Sequence, residues 1–260
     1  MICYQLQGCL MPLKSIFFVI LLGLFSFKVS AISPKLTAEE ILTQVAKTYR
    51  QIESYSDKGV VKTLFFTESG KRLDEKPFAT DFVRKENFRF EFSNKHPFLF
   101  SPTYKSIIFG LGNNAVTWRS HKLGEDNVGI NKEESLDMAI AGATGISGGS
   151  AYDIPALLQV SGIGKWKNTL VSYPFNERLT DEQWRESTFY KIEVKRPNKN
   201  SDIKGEYVSE ILWIDPKTFL IHRIDSATEF KNFRTQNTTL YNPRIGIEIP
   251  AERFVPPQAN

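Results

Sequence analysis

Cysteine is nearly absent from the sequence. The only two, Cys3 and Cys9, lie within the first ten residues. If that segment is removed during export, the remaining chain has no disulfide, no thiolate metal site and no cysteine nucleophile. Leu6-Gln7-Gly8-Cys9 superficially resembles a bacterial lipid-attachment motif. In such a motif the apolar run precedes the cysteine, whereas here it follows, so we predict no lipid attachment at Cys9.

Histidine is also rare, and the net charge is small. The three histidines, His96, His121 and His222, are far apart and lack the spacing of metal ligands. We therefore expect them to have structural or surface roles, and we predict no metal or other cofactor. The net charge is +4, and about +2 without Lys14 and Lys28. Such a weak excess does not indicate nucleic-acid binding, which needs clustered basic residues.

The N-terminal segment contains one short apolar run. Lys14 supplies a positive charge, residues 16–27 are almost entirely apolar, and Val29-Ser30-Ala31 ends in a small residue. This run is shorter than the roughly 20 residues of a membrane-spanning helix. The pattern is typical of a secretory signal peptide, so we predict that residues 1–31 are cleaved after Ala31 and that the protein is periplasmic. An uncleaved anchor is the alternative, and Met11 offers a second start site.

The remaining residues, 32–260, are numerous enough for one β-rich domain with a sizeable core. The sequence has 20 Phe, 9 Tyr and 4 Trp, residue types that favour strands. The segment has no internal repeat or convincing linker, so we predict a single domain.

A helix is predicted at the start of this domain. Thr37 and Glu40 have the spacing of a capping box, and Leu36 and Ile41 flank it as a hydrophobic staple. Apolar residues then recur at helical spacing, which indicates one buried face: Ile41, Leu42, Val45, Tyr49 and Ile52.

After Ser56 apolar and polar residues alternate, which is typical of antiparallel strands with one buried face. The clearest case is Phe88-Arg89-Phe90-Glu91-Phe92. The predicted strands are 59–67, 77–84, 87–93, 104–110 and 115–119, followed by 169–173, 189–195, 208–214, 220–229 and 238–241. Asp215-Pro216-Lys217-Thr218 predicts a type I turn, and therefore a hairpin over 208–229.

Residues 131–164 interrupt the strands. Residues 133–143 are rich in helix formers, 145–150 is a glycine-containing break, and 154–160 predicts a second short helix. Gly145-Ile146-Ser147-Gly148-Gly149 matches the G-x-S-x-G motif of hydrolases. That motif needs a strand before the serine and alternating strands and helices around it, and neither is predicted here. We therefore predict that the protein is not an enzyme, and a Ser147 hydrolase is the weakest hypothesis.

The order of these features resembles the superfamily of bacterial lipoprotein-localisation factors (LolA/LolB-like), and in particular its branch of uncharacterised periplasmic proteins. The resemblance rests on the exported start, the capped helix, the aromatic strands and two motifs. These are Leu212-Trp213-Ile214-Asp215-Pro216-Lys217-Thr218 and Ile249-Pro250-Ala251-Glu252-Arg253-Phe254-Val255-Pro256-Pro257.

The resemblance implies a mainly β, α+β fold: a strongly curved antiparallel sheet that forms an incomplete barrel. An N-terminal helix and a helical lid insert at about 131–164 would cover an apolar cavity. The resemblance also implies a non-catalytic carrier of a lipid or acylated protein, which we expect to be monomeric. Arg84 is the candidate for a lid-locking arginine, although Lys85 and Arg89 are close in sequence.

The residues predicted to line the cavity share aromatic or branched side chains on predicted strands: Phe88, Phe90, Phe92, Tyr190, Ile192, Val194 and Trp213. The alternative is that the three phenylalanines simply pack beneath the N-terminal helix. A second hypothesis for the function is an envelope-stress sensor or protein-interaction module with an envelope protein as partner.

Overall fold

The computed structural model describes residues 35–84, 87–94, 103–111, 114–122, 128–158, 177–197, 207–230 and 233–256. The described residues from Leu36 onward belong to one compact unit. The predicted signal peptide, 1–31, lies outside the described residues, as does the predicted strand 169–173.

The first element, α1 (Ala38–Gln51), begins as the sequence predicts. Thr37 Oγ1 accepts a hydrogen bond from the Glu40 amide, and the Glu40 carboxylate accepts one from the Thr37 amide, which completes the capping box. Tyr49 and the other apolar residues of one face are buried, which fixes the helix against the sheet.

The first half of the sheet consists of six strands, β1 (Ser54–Thr67), β2 (Gly70–Val83), β3 (Asn87–Asn94), β4 (Thr103–Leu111), β5 (Asn114–Lys122) and β6 (Val128–Glu133). Each pairs antiparallel with the next. Strand β1 begins five residues before the predicted strand 59–67, because Ser54 to Lys58 pair with the end of β2. Strand β6 was not predicted.

Two helices follow, α2 (Leu136–Thr144) and α3 (Asp153–Leu158). The predicted lid insert at 131–164 and its first helix at 133–143 therefore begin too early. Residues up to Glu133 extend the sheet as its edge strand, and Ser135 caps α2 by accepting a hydrogen bond from the Met138 amide.

The second half of the sheet comprises β7 (Glu177–Arg178), β8 (Glu182–Trp184), β9 (Ser187–Pro197), β10 (Tyr207–Ile214), β11 (Ile221–Phe230), β12 (Phe233–Leu240) and β13 (Arg244–Ile245). The short strands β7, β8 and β13 were not predicted. The hairpin of β10 and β11 is confirmed. In its turn, the Asp215 carboxylate accepts hydrogen bonds from the Lys217 and Thr218 amides.

Together the described strands form one sheet in which β1 pairs with β12, so that the first and last long strands meet in the middle. Its main path runs β6-β5-β4-β3-β2-β1-β12-β11-β10-β9-β7 and is not closed on itself within the described residues. The predicted mainly β, antiparallel fold with an open sheet and a few helices is thus confirmed.

The apolar core lies between one face of this sheet, called the inner face, and the three helices. Close packing is visible at Gly59, which pairs with Phe78: a Cβ atom there would lie 2.2 Å from Phe78 Cζ. The opposite face is called the outer face. It carries most of the charged side chains of β1 to β4 and is crossed by the C-terminal segment after β13.

Candidate functional site

The inner face is lined by the aromatic row that the sequence predicts. Phe88, Phe90 and Phe92 alternate along β3 and are at most 1% exposed. The ring of Phe90 stacks on that of Phe78 at 6.0 Å and contacts that of Phe92 at 5.8 Å. All three rings belong to the core cluster that includes residues of α1, α2 and α3. In this state the rings fill the space beneath the helices.

Three residues of β9 extend the inner face into the second half of the sheet. Ile192 and Val194 are buried in the core cluster, and Tyr190 is half-buried against it. Register places Leu212 opposite Ile192 and Ile214 opposite Tyr190, so that the inner faces of β9 and β10 are continuous.

Trp213 does not share this face, which corrects its grouping with the other predicted cavity residues. It pairs with Lys191, whose ammonium lies 4.6 Å from the indole centroid. Its Nε1 donates to an Asp225 carboxylate oxygen at 2.7 Å, and Arg223 stacks on the same indole. The period of two explains this placement, because Leu212 and Ile214 on either side both enter the core.

A cavity of about 110 Å³ lies between α2 and the inner faces of β3 to β6. Phe92 and Ile108 belong to its apolar wall, and Met138, Gly142 and Ile146 border it from the helix side. Met138 is 58% exposed, an unusual value for a large apolar side chain. The cavity is smaller than the roughly 300–1,000 Å³ of typical ligand pockets. A ligand with a long chain could therefore enter only if α2 or a neighbouring element moved.

Arg84, directly after β2, is bonded to the ends of two helices. Its Nε donates to the Ile52 carbonyl at 2.7 Å, its Nη2 to the Tyr49 carbonyl at 3.0 Å, and its Nη1 to the Leu158 carbonyl at 3.5 Å. Tyr49 and Ile52 are at the C-terminal end of α1, and Leu158 is the last residue of α3. Carbonyls at helix C-termini lack intrahelical partners and carry negative partial charge, so a guanidinium stabilises them.

Arg178 of β7 holds the opposite end of α1. Its Nη1 donates to the Leu36 carbonyl, just before the helix, and its Nη2 to the Asp181 carboxylate at 2.7 Å. The guanidinium also lies 4.7 Å from the Tyr190 ring centroid. Helix α1 is therefore attached at both ends by arginines from the two halves of the sheet.

A buried polar cluster lies beneath α1. The Tyr55 hydroxyl donates to one carboxylate oxygen of Asp57 at 2.6 Å, and the Thr80 amide donates to the other at 3.2 Å. Burial raises the pKa of Asp57 to about 7, although these hydrogen bonds act in the opposite direction. The Tyr49 hydroxyl accepts from the Ile221 amide and so links α1 to β11. Asp57 is thus a carboxyl group that ionises in the core near neutral pH.

The G-x-S-x-G serine has a structural environment. Ser147 is completely buried, and its hydroxyl donates to the Thr144 carbonyl and accepts from the Ala151 amide. These bonds join the end of α2 to the turn before α3. Gly148 has a φ of +72°, which favours glycine at that position. His222, the histidine that follows Ser147 in sequence, contacts the Phe189 ring.

Comparison with known proteins gives only distant similarities. No protein-family model and no curated protein matches the sequence. Among solved structures, LprF from Mycobacterium bovis is 12% identical, with a TM-score of 0.47 over 82% of this chain and 94% of that one. A LolA superfamily protein from Nitrosomonas europaea is 10% identical, with a TM-score of 0.32 over 85% and 99%. A domain from Vibrio parahaemolyticus described as an outer membrane lipoprotein-sorting protein is 11% identical, with a TM-score of 0.32 over 82% and 94%. A LolA superfamily protein is thus among the solved structures to which this chain is similar.

Sequence reasoning missed Asp57 and Arg178. Asp57 was overlooked because the first strand was predicted to begin at residue 59, whereas the alternation of Tyr55, Asp57 and Val61 extends it backwards. Arg178 lies on a two-residue strand, too short to produce a periodic signal.

Proposed function

We propose that this protein is an exported, periplasmic, non-catalytic carrier of a lipid or acylated ligand, functioning as a single domain over 32–260. The observation that supports this proposal is that Arg84 is hydrogen-bonded to the ends of α1 and α3, which cover an aromatic inner face with a small cavity. Among the described residues, no helix is long and apolar enough to cross a membrane.

In this proposal α1, α2 and α3 are the lid helices, and their packing on the inner face is the closed arrangement. The acyl chain enters between α2 and β3 to β6, where Met138 exposes apolar surface. Phe88, Phe90 and Phe92 then contact the chain instead of the helices, and Ile192, Val194 and Tyr190 extend the apolar surface. Trp213 is left out, because it faces the outer side.

The free energy of burying an acyl chain can be compared with that of the Arg84 contacts. Each buried methylene contributes about 0.8 kcal/mol, so about ten methylenes contribute about 8 kcal/mol. The hydrogen bonds of the Arg84 guanidinium to the three carbonyls, one of them at the long distance of 3.5 Å, contribute about 2–5 kcal/mol together. A long acyl chain can therefore offset the loss of the Arg84 contacts, whereas a short apolar molecule cannot. Arg84 would thus favour long acyl chains over short ones.

The direct test is extraction of lipid from the purified chain, expressed with its leader in a Gram-negative host and analysed by mass spectrometry. A Cβ atom at Gly142, which borders the cavity, meets no atom within 4 Å, and the same is true of Gly145, which does not border it. Gly142→Leu should therefore narrow the entrance, and Gly145→Leu is its matched control.

We expect co-purified lipid in the wild-type protein and in Gly145→Leu, and a large reduction in Gly142→Leu. A wild-type protein that is consistently free of lipid, or equal lipid content in the two variants, would count against the proposal. A protein partner captured by cross-linking to a lipid-free protein would favour the protein-interaction hypothesis instead.

A further inference from the structure

A second cavity, of about 420 Å³, lies on the outer face, on the opposite side of the sheet from the core. Its floor is formed by β1 to β3, where Ser56, Asp81 and Arg89 lie side by side in register. The segment after β13, including Ile247 and Pro250, forms its other side. This volume is within the range of small-molecule sites.

Two arginines, one in this segment and one in β13, join this side of the cavity to the sheet. Arg253 donates from Nε and Nη2 to one Asp81 carboxylate oxygen, at 3.0 and 2.5 Å. Arg244 Nη2 donates to Ser56 Oγ at 3.3 Å. The cavity walls are therefore joined by contacts between two exposed arginines and the buried Asp81 and Ser56, and the space between them is built into the fold.

The charges lining this cavity do not balance. Five basic side chains border it: Lys58, Arg89, Lys105, Arg244 and Arg253. Three acidic side chains oppose them: Asp81, Glu91 and Glu248. Asp57 also borders the cavity, but its carboxylate is hydrogen-bonded on the inner face by Tyr55 and Thr80. The outer side thus has an excess of two positive charges.

Arg89 is the central group of this cluster. It is only 7% exposed, and its Nη2 is bonded to the Glu91 carboxylate. Its Nη1 is buried and has no hydrogen-bond partner within the part of the chain that the structure describes, and it lies 3.9 Å from an Asp81 carboxylate oxygen. A buried guanidinium donor without a hydrogen-bond partner is costly, and an anion that accepts from it removes that cost.

Two further cations lie at the rim of the cavity. Among the described residues, neither Lys58 nor Arg244 is within ion-pair distance of a carboxylate, and Arg244 donates to Ser56. By contrast, Lys105 is paired with Glu91, and Arg253 with Asp81. Among the described residues, Lys58 and Arg244 therefore lack a carboxylate partner and Arg89 Nη1 lacks a hydrogen-bond acceptor, and all three residues border the same cavity.

We propose that this outer-face cavity binds a small dianionic ligand, which carries either a phosphate group or two carboxylates. The excess of two charges matches such a ligand. Guanidinium and ammonium groups together bind oxyanions by charge-assisted hydrogen bonds. The site is separate from the proposed acyl site, so either can exist without the other.

The test is isothermal titration of residues 32–260 with inorganic phosphate and, separately, with succinate, at an ionic strength held constant with chloride. Lys58→Gln/Arg244→Gln removes the two exposed cations without breaking an ion pair. Lys47→Gln/Lys217→Gln removes the same charge from exposed positions elsewhere and is the matched control.

We expect saturable binding of at least one anion, with a Kd about tenfold or more higher in Lys58→Gln/Arg244→Gln and unchanged in the control. Binding of phosphate alone or of succinate alone identifies which of the two chemistries the site prefers. No saturable binding of either anion, or the same weakening in both double variants, would overturn the proposal. Because the variants lie on the outer face, lipid content should not change with them.

Discussion

The guanidinium of Arg84 donates to the carbonyl oxygen of Tyr49 at a distance of 3.0 Å, and so connects the residue after β2 to the last turn of α1. The same side chain reaches α3 through Leu158. Since α1 and α3 both cover the aromatic inner face, Arg84 connects the two helices that the proposed function requires to move.

Removal of the Arg84 guanidinium should loosen both helices. In Arg84→Met we expect the free energy of unfolding to fall by about 2–5 kcal/mol, because three carbonyls lose a charged donor. Hydrogen exchange should quicken at the C-terminal end of α1 and in α3. Arg50→Met, at an exposed position in the last turn of α1, is the control and should change both quantities much less, because an exposed cation at a helix C-terminus contributes only about 0.3–1 kcal/mol. Unchanged exchange in Arg84→Met would show that the contacts do not hold the lid helices.

Arg178 should hold the opposite end of the same helix. Arg178→Gln removes the donor to the Leu36 carbonyl, so we expect faster hydrogen exchange in the first turns of α1 and little change at Tyr49. Lys47→Gln, on the exposed side of α1, is the control. Equal exchange along the whole helix in Arg178→Gln would contradict separate attachment of its two ends.

Asp57 should make stability depend on pH. Burial raises its pKa to about 7 from the ordinary value of 3.8, so the folded state keeps a proton that the unfolded state releases between these values. The contribution of this carboxyl to the free energy of unfolding should therefore be fully present below pH 4 and should be lost as the pH rises from about 4 to 7. Above pH 7 it should cause no further change.

Asp57→Asn should abolish this part of the pH dependence, measured by urea unfolding between pH 4.5 and 8. Glu68→Gln, in the exposed turn between β1 and β2, should leave the wild-type profile unchanged. If the profiles of wild type and Asp57→Asn run parallel across this range, the carboxyl does not ionise in the core as described.

Ser147 should contribute to stability and not to hydrolysis. Ser147→Ala removes the acceptor for the Ala151 amide, and capping losses of this kind cost about 0.5–2 kcal/mol. Any background hydrolysis of p-nitrophenyl esters should be the same in wild type and variant. Loss of hydrolysis in a folded Ser147→Ala protein would restore the hydrolase hypothesis.

The sequence predicted the elements whose residues have strong local signals. The Thr37 and Glu40 capping box, the alternation of Phe88, Phe90 and Phe92, and the Asp215 turn all fold as expected, because each depends on neighbouring residues. Short edge strands such as Glu177–Arg178 have too few residues to show an alternating pattern in the sequence.

The contacts of the candidate site were harder to predict, since they join distant residues. Arg84 was identified only through the family resemblance, and its partners Tyr49 and Leu158 are 35 and 74 positions away. Trp213 was grouped with the cavity residues on its aromatic character, whereas the period of two places it outside. The outer-face cavity depends on Arg253 reaching Asp81 across 172 positions, which no local pattern indicates.

The most direct test of the central claim is a stopped-flow measurement of a fluorescent long-chain fatty acid binding to the purified chain, in wild type, Arg84→Met and Arg50→Met. The account predicts saturable binding in all three, with a faster association rate in Arg84→Met because its lid helices open more easily. Absence of binding to the wild type, or an association rate in Arg84→Met equal to that of Arg50→Met, would contradict it.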